Sequence, residues 1–218
     1  MNLYDLLHDP SQAKGHTIAD ERVPQLAWRK YERDPDELKK RRHIFAKDAG
    51  TAYRYAREVL DSGRFPEAED VIAKDPEYAY LYALNILQGP FPKGEDAIAT
   101  DMWYAFQYAH NLLEGPFPKG EKEIAKSADH AFVYAADIIH KRFPEGEKAI
   151  ATSPEYAFEY ALKVLHGRFP EAENAIATNP YFAFNYAKKI LHGRFKKGEP
   201  IILADSFYKH IYKDLFKM

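Results

Sequence analysis

The stretch GRFPEAENAIATNPYFAFNYAKKILHGRF, from Gly167 to Phe195, begins and ends on Gly-Arg-Phe, and its two such phenylalanines stand 26 residues apart. That spacing is the period of most of the chain. Phe65, Phe91, Phe117, Phe143, Phe169 and Phe195 follow one another at the same interval. With Phe65 as position 1 of a unit, glutamate fills position 5 (Glu69, Glu95, Glu121, Glu147, Glu173, Glu199). Isoleucine fills position 8, from Ile72 to Ile202, and tyrosine fills position 18 (Tyr82, Tyr108, Tyr134, Tyr160, Tyr186, Tyr212). Upstream, HIFAKDAGTAYRYAREVLDSGRF, His43 to Phe65, fits the pattern with one extra residue and adds Tyr55. A constant period of this length is the mark of a repeat architecture.

Each unit reads as two helices. Pro66, Pro92, Pro118, Pro144 and Pro170 suit a first helical position, where the missing N–H is not needed, and acidic residues follow where the helix dipole favours them. Asp75, Ser153 and Asn179 precede a proline as N-caps of the second helix, and Gly89, Gly115, Gly167 and Gly193 are expected to close it. Ala79, Tyr82, Ala83, Ile86 and Leu87 form an i, i+3, i+4, i+7, i+8 stripe. Positions 14 and 16 are aromatic as well, as in Tyr78 and Tyr80 or Tyr156 and Phe158, so the apolar arc exceeds half the helix. A helix needs that only when hairpins lie on both sides of it. Small residues such as Ala68, Gly94, Gly120 and Ala79 allow close approach, and the rings of 16 Tyr and 14 Phe fill the remaining gaps.

The expected fold is all-α, an α-solenoid of about six tandem helical hairpins winding into a right-handed superhelix. Residues 1–37 form an N-terminal helical cap, with a short helix at Asn2–His8, a loop around Pro10–Gly15 and a helical segment at Pro24–Arg33 carrying Trp28 and Tyr31. Residues 38–194 hold the repeats, and residues 195–218 form a capping hairpin within one continuous domain. There Lys209 and Lys213 replace the alanines of positions 15 and 19, which suits a unit with no following neighbour. The Ala-plus-Tyr packing positions resemble the tetratricopeptide and Sel1-like class of helical repeats, with a shorter unit. The wording YA..VL.GRFPEAE..IA is similar to repeats of uncharacterised bacteriophage proteins. That similarity covers about 180 residues and implies no known activity; a host-directed inhibitor or adaptor is one role that would suit it.

Composition narrows the function. The chain has no cysteine, which excludes disulfides, thiol nucleophiles and cysteine metal sites. Its start, MNLYDLLHDPSQ, lacks a basic region followed by an apolar stretch, and no apolar run nears the ~20 residues of a membrane span. A cytoplasmic protein without membrane contact is expected. Net charge is −2 but unevenly spread: 13 basic and 11 acidic side chains to residue 64, 10 and 17 from 65 to 168, and 8 and 5 thereafter. The middle is acidic between two mildly basic ends.

No Gly-rich phosphate loop, His-Glu-x-x-His or Gly-x-Ser-x-Gly occurs, so no enzymatic activity and no cofactor is expected. The position-5 glutamates fall on the apolar face of the first helix, where a carboxylate needs hydrogen bonds. The position-18 tyrosines and a backbone N–H can supply them, which makes a repeated structural ladder. His140, His166 and His192 at position 24, with Arg142, Arg168 and Arg194 at position 26, form a basic edge confined to the C-terminal half, since earlier units carry Gln88, Glu114, Pro90 and Pro116 there. Helices ~10 Å apart keep such histidines from sharing a metal, whose bonds are near ~2 Å. Position 17 varies (Leu81, Gln107, Val133, Glu159, Asn185), but an acidic middle opposes nucleic acid. The run Lys39 to Arg42 follows acidic residues and reads as i, i+4 helix support.

The expected function is a non-enzymatic protein-binding scaffold. A partner basic where it meets Glu114, Asp137 and Glu159 would be oriented by His140, Arg142, His166, Arg168, His192 and Arg194. Two alternatives compete with it: a phosphate-ligand or nucleic-acid binder using Arg168, Arg194, Lys196 and Lys197, and a self-assembling structural component.

Overall fold

The structure, a computed structural model, describes residues 17–218, and every regular element among them is helical. The helix expected at Asn2–His8 and the loop around Pro10–Gly15 lie outside the described residues. The chain forms two compact units, one up to Tyr104 and one from Ala105.

In the first unit the helix Thr17–Tyr31 begins seven residues before Pro24, which sits inside it. Trp28 is buried on this helix and meets Phe45 edge-on at 5.5 Å; Phe45 stacks on Tyr55 at 5.5 Å, and Tyr55 meets Phe65 at 4.9 Å. The N-terminal helix therefore covers the core of the hairpin that follows. Asp34 accepts the Glu37 N–H to start Pro35–Lys40, and Asp48 accepts the Thr51 N–H to start Ala49–Glu58.

Short and longer helices then alternate. In the first unit Glu69–Ile72 is followed by Pro76–Tyr82; in the second, Glu121–Ile124 by Ala128–Val133, Pro144–Ile150 by Pro154–Lys163, Glu173–Ile176 by Pro180–Tyr186, and Glu199–Ala204 by Tyr208–Phe216. The N-caps act as their chemistry predicts, Asp75, Ser153 and Asn179 each accepting a backbone N–H. The first helices differ from expectation. Only Pro144 opens an α-helix; Pro66 and Pro170 open a single 3-10 turn, and beside Gly94 and Gly120 the helix begins at Glu95 and Glu121, three residues after the proline.

Small residues at position 4 have a steric cause. A Cβ on Gly146 would lie 2.6 Å from Phe143 and 2.7 Å from Ala131 Cβ of the preceding hairpin, and one on Gly198 would lie 2.9 Å from Ala183 Cβ. Aromatic rings carry the contact from one second helix to the next, position 16 against position 14. Phe132 meets Tyr156 at 5.8 Å, Phe158 meets Phe182 at 6.0 Å, and Phe184 meets Tyr208 at 5.2 Å. Both positions are thereby packing positions, which accounts for the excess of rings.

The second helices close in a way that corrects the expectation for glycine. Most widen to a π-turn, as at Ala83–Leu87 and Ala187–Leu191, and the left-handed residue that ends them is at position 24. Gln88, Glu114, His140, His166 and His192 have φ of 50, 46, 49, 49 and 47°. The next N–H then reaches back to the position-19 carbonyl, from Gly89 to Ala83 at 3.1 Å and from Gly193 to Ala187 at 3.2 Å. Lys141 makes the same bond to Ala135 at 3.1 Å, so no glycine is required at position 25.

Candidate functional site

The repeated polar chemistry converges on the position-18 tyrosine. Its side chain comes from the second helix and runs under the turn that starts the first helix of its own unit. The Phe143 N–H donates to Tyr160 Oη at 2.8 Å, and that hydroxyl donates to Glu147 Oε1 at 3.0 Å. Tyr82 repeats this with Phe65 and Glu69 at 2.8 and 3.2 Å, Tyr134 with Phe117 and Glu121 at 2.9 and 2.8 Å, and Tyr212 with Phe195 and Glu199 at 2.9 and 3.2 Å. Tyr186 accepts the Phe169 N–H at 2.8 Å. Tyr108 is fully buried against Phe117, its ring 5.0 Å away, while Glu95 is half-buried. Each of these four triads satisfies a buried backbone donor, a phenol and one oxygen of a carboxylate, leaving little free bonding capacity for a ligand.

Arginine completes the set. Arg142 grips Glu147 with both ends of its guanidinium at 2.6 and 2.9 Å, and Arg194 grips Glu199 at 2.6 and 2.8 Å. Arg168 Nε donates to Glu173 Oε1 at 2.6 Å, and Arg64 holds Glu69 through two bonds of 3.0 and 2.8 Å. The Arg142 bond holds the Glu147 carboxyl below the usual carboxylate range, and Arg194 does the same to Glu199. Burial pushes the phenols the other way, Tyr186 up to about 12, with Tyr134 and Tyr160 also raised.

This arrangement changes the reading of the basic edge. Arg142, Arg168 and Arg194 are each committed to a ladder glutamate, and Arg64 shows the same bond in the first unit, so the arrangement is not confined to the C-terminal half. His140, His166 and His192, like Glu114, hold the left-handed helix closure through their backbone and keep exposed side chains. His140 Nδ1 lies 2.9 Å from the Ala136 carbonyl, which can only accept. Among the described residues no group of three or more His, Asp and Glu could hold a metal ion. A cavity of about 320 Å³ is lined by Arg168, Glu173, Leu191, Arg194, Lys196 and Lys197, with Lys197 Nζ 3.5 Å from Glu173. A counterpart of about 580 Å³ lies beside Arg64, Glu69 and Lys93 in the first unit.

The other predicted contact residues are on the second helices. Asp137 is exposed, and Glu159 is half-buried with an ion pair to Lys163 at 3.0 Å. Beside them the structure reveals a set that sequence reasoning missed: Phe207, Ile211 and Leu215, large apolar side chains exposed at positions 13, 17 and 21. Those positions are largely polar or charged in the other units, so their joint switch to apolar was the readable signal. Among the described residues no helix is long and apolar enough to cross a membrane. Compared with known proteins, the chain matches no family model, no curated protein and no solved structure.

Proposed function

We propose that the chain is a non-enzymatic α-solenoid, of the tetratricopeptide and Sel1-like kind but with a shorter unit, that acts in the cytoplasm as a scaffold or adaptor for another protein. The resemblance to bacteriophage repeats suggests a phage-encoded inhibitor of a host protein as its particular role. One observation carries the reading. The recurring tyrosines and glutamates are bonded to one another, as in Tyr82 with Glu69, Tyr134 with Glu121, Tyr160 with Glu147 and Tyr212 with Glu199, while the outward residues of the second helices change from unit to unit. Constant internal bonding with a variable exterior is the pattern of a repeat scaffold whose surface is free to specify a partner. Asp137 and Glu159 fit a basic partner.

Two rival readings meet physical objections. For an anion site, Arg168 and Arg194 would first have to release Glu173 and Glu199, the former 2% exposed. For end-to-end assembly, a further hairpin would have to seat on position 15, where Lys209 stands in place of the alanine that elsewhere, as at Ala131 and Ala183, lies against position 4 of the next hairpin. Immobilised protein challenged with extract of its native cells at moderate salt is expected to retain a specific protein, less of it as salt rises. Retention of none would count against the scaffold; binding to a polynucleotide panel would favour the edge.

A further inference from the structure

Positions 13, 17 and 21 stand roughly one turn apart on one side of each second helix. In the last hairpin they are Phe207, Ile211 and Leu215, exposed by 65, 40 and 45%. Tyr181, at position 13 of the preceding second helix, is 47% exposed. Its ring and that of Phe207 both contact Tyr208, at 6.3 and 5.0 Å, and Ile211 and Leu215 follow Phe207 at one-turn intervals along the same side of the helix. The largest contiguous apolar patch on a monomer is often a binding surface.

The same side turns acidic toward the middle of the unit. Glu155 and Asp137 are exposed and have no ion-pair partner among the described residues, and Glu159 lies between them in the row. The second helices contact one another in sequence: Ala128–Val133, which runs on into the π-turn Tyr134–Ile138 that carries Asp137, with Pro154–Lys163, that helix with Pro180–Tyr186, and the latter with Tyr208–Phe216. At ~8–10 Å per helix step, acids and apolar anchors share a track of about 30 Å. An extended segment of about nine residues covers that distance.

We infer that this face docks a segment of another protein that is apolar where it meets Phe207, Ile211, Leu215 and Tyr181 and basic where it meets Glu155 and Asp137. The inference rests on the scaffold reading and adds to it the face and the chemistry of the partner. A second copy of the chain is the poorer occupant. Four side chains fall short of the ~800 Å² per partner that a stable dimer buries, and a copy presenting the same patch leaves the acids unanswered. Aromatic and aliphatic anchors provide the affinity, and the unpaired carboxylates fix the direction of the segment.

Selection of random twelve-residue displayed peptides on the full chain tests this. Enriched peptides should carry Lys or Arg beside a cluster of Leu, Phe or Trp. Their affinity should fall at least tenfold on the double variant Phe207→Ser with Leu215→Ser, and also on Asp137→Lys with Glu155→Lys. Helicity and melting temperature should be unchanged in both, because the side chains are exposed. Enriched peptides that bind both variants as tightly as the unaltered chain would overturn the face and leave the scaffold standing. No enriched peptide at all would remove the scaffold reading too. A dimer in sedimentation that disappears in the serine variant would place a second copy on the patch and overturn the chosen partner.

Discussion

The position-18 tyrosine shows how one side chain can be read as function or as structure. Tyr160 has no exposed surface and serves as acceptor for the Phe143 N–H and donor to Glu147. Replacing it by Phe leaves a buried N–H unanswered, and Tyr160→Phe is expected to cost about 1–3 kcal/mol in urea unfolding. The raised phenol pKa values predict a particular alkaline limit. A group whose folded pKa is raised contributes stability that is complete below the unfolded value, near ~10 for tyrosine, and lost as pH rises toward the folded value. With Tyr186 at about 12, unfolding should set in between these limits, and the tyrosinate absorbance of the core rings should appear together with loss of helicity. Smooth ionisation of all 16 tyrosines near the free value, with helicity intact, would contradict the burial of this set. Recurrence drew attention to the Tyr–Glu pairs, of which Tyr82, Tyr134, Tyr160 and Tyr212 donate to their glutamates. The role of Arg168 was not legible: it lies five residues before Glu173, across a turn, a spacing that neither helix nor strand periodicity brings to notice.

At the scale of the hairpin, an N-cap residue followed by proline located second helices such as Pro76–Tyr82, Pro154–Lys163 and Pro180–Tyr186, since both act within one turn of the chain. Closure was misread because glycine at position 25 satisfies the usual expectation, whereas the left-handed conformation falls on the residue before it. The two kinds of glycine therefore predict opposite outcomes. Gly146→Val would push a side chain into Phe143 and Ala131 and should cost about 1–3 kcal/mol, as overpacking does. Gly167→Ala should be nearly neutral, because the nearest atom to an added Cβ is 3.6 Å away and Lys141 occupies the equivalent position. Chemical denaturation of the two variants checks both; equal losses would return closure to position 25. The short first helices were overestimated: the α-helix begins three residues after the proline, at Glu69, Glu95, Glu121 and Glu173, and only Pro144 opens one directly.

Among the described repeats, the position-18 tyrosines are turned inward and most of the residues that vary at positions 13 and 21 are turned outward. Along positions 13, 17 and 21 of the second unit, Asp137 and Glu155 stand at one end and Phe207, Ile211 and Leu215 at the other, with Lys163 and Lys189 at position 21 between them. The lysines divide along the same line. Lys163 and Lys189 occupy position 21 on the outward side, while Lys196 and Lys197 line the cavity beside Arg168 and Arg194. Lysine-directed cross-linking of the protein captured with its partner from native cells, read by mass spectrometry, therefore separates the two surfaces. Cross-links concentrated at Lys163 and Lys189 are the predicted result. Cross-links confined to Lys196 and Lys197 would contradict the outward face and return the function to the basic edge.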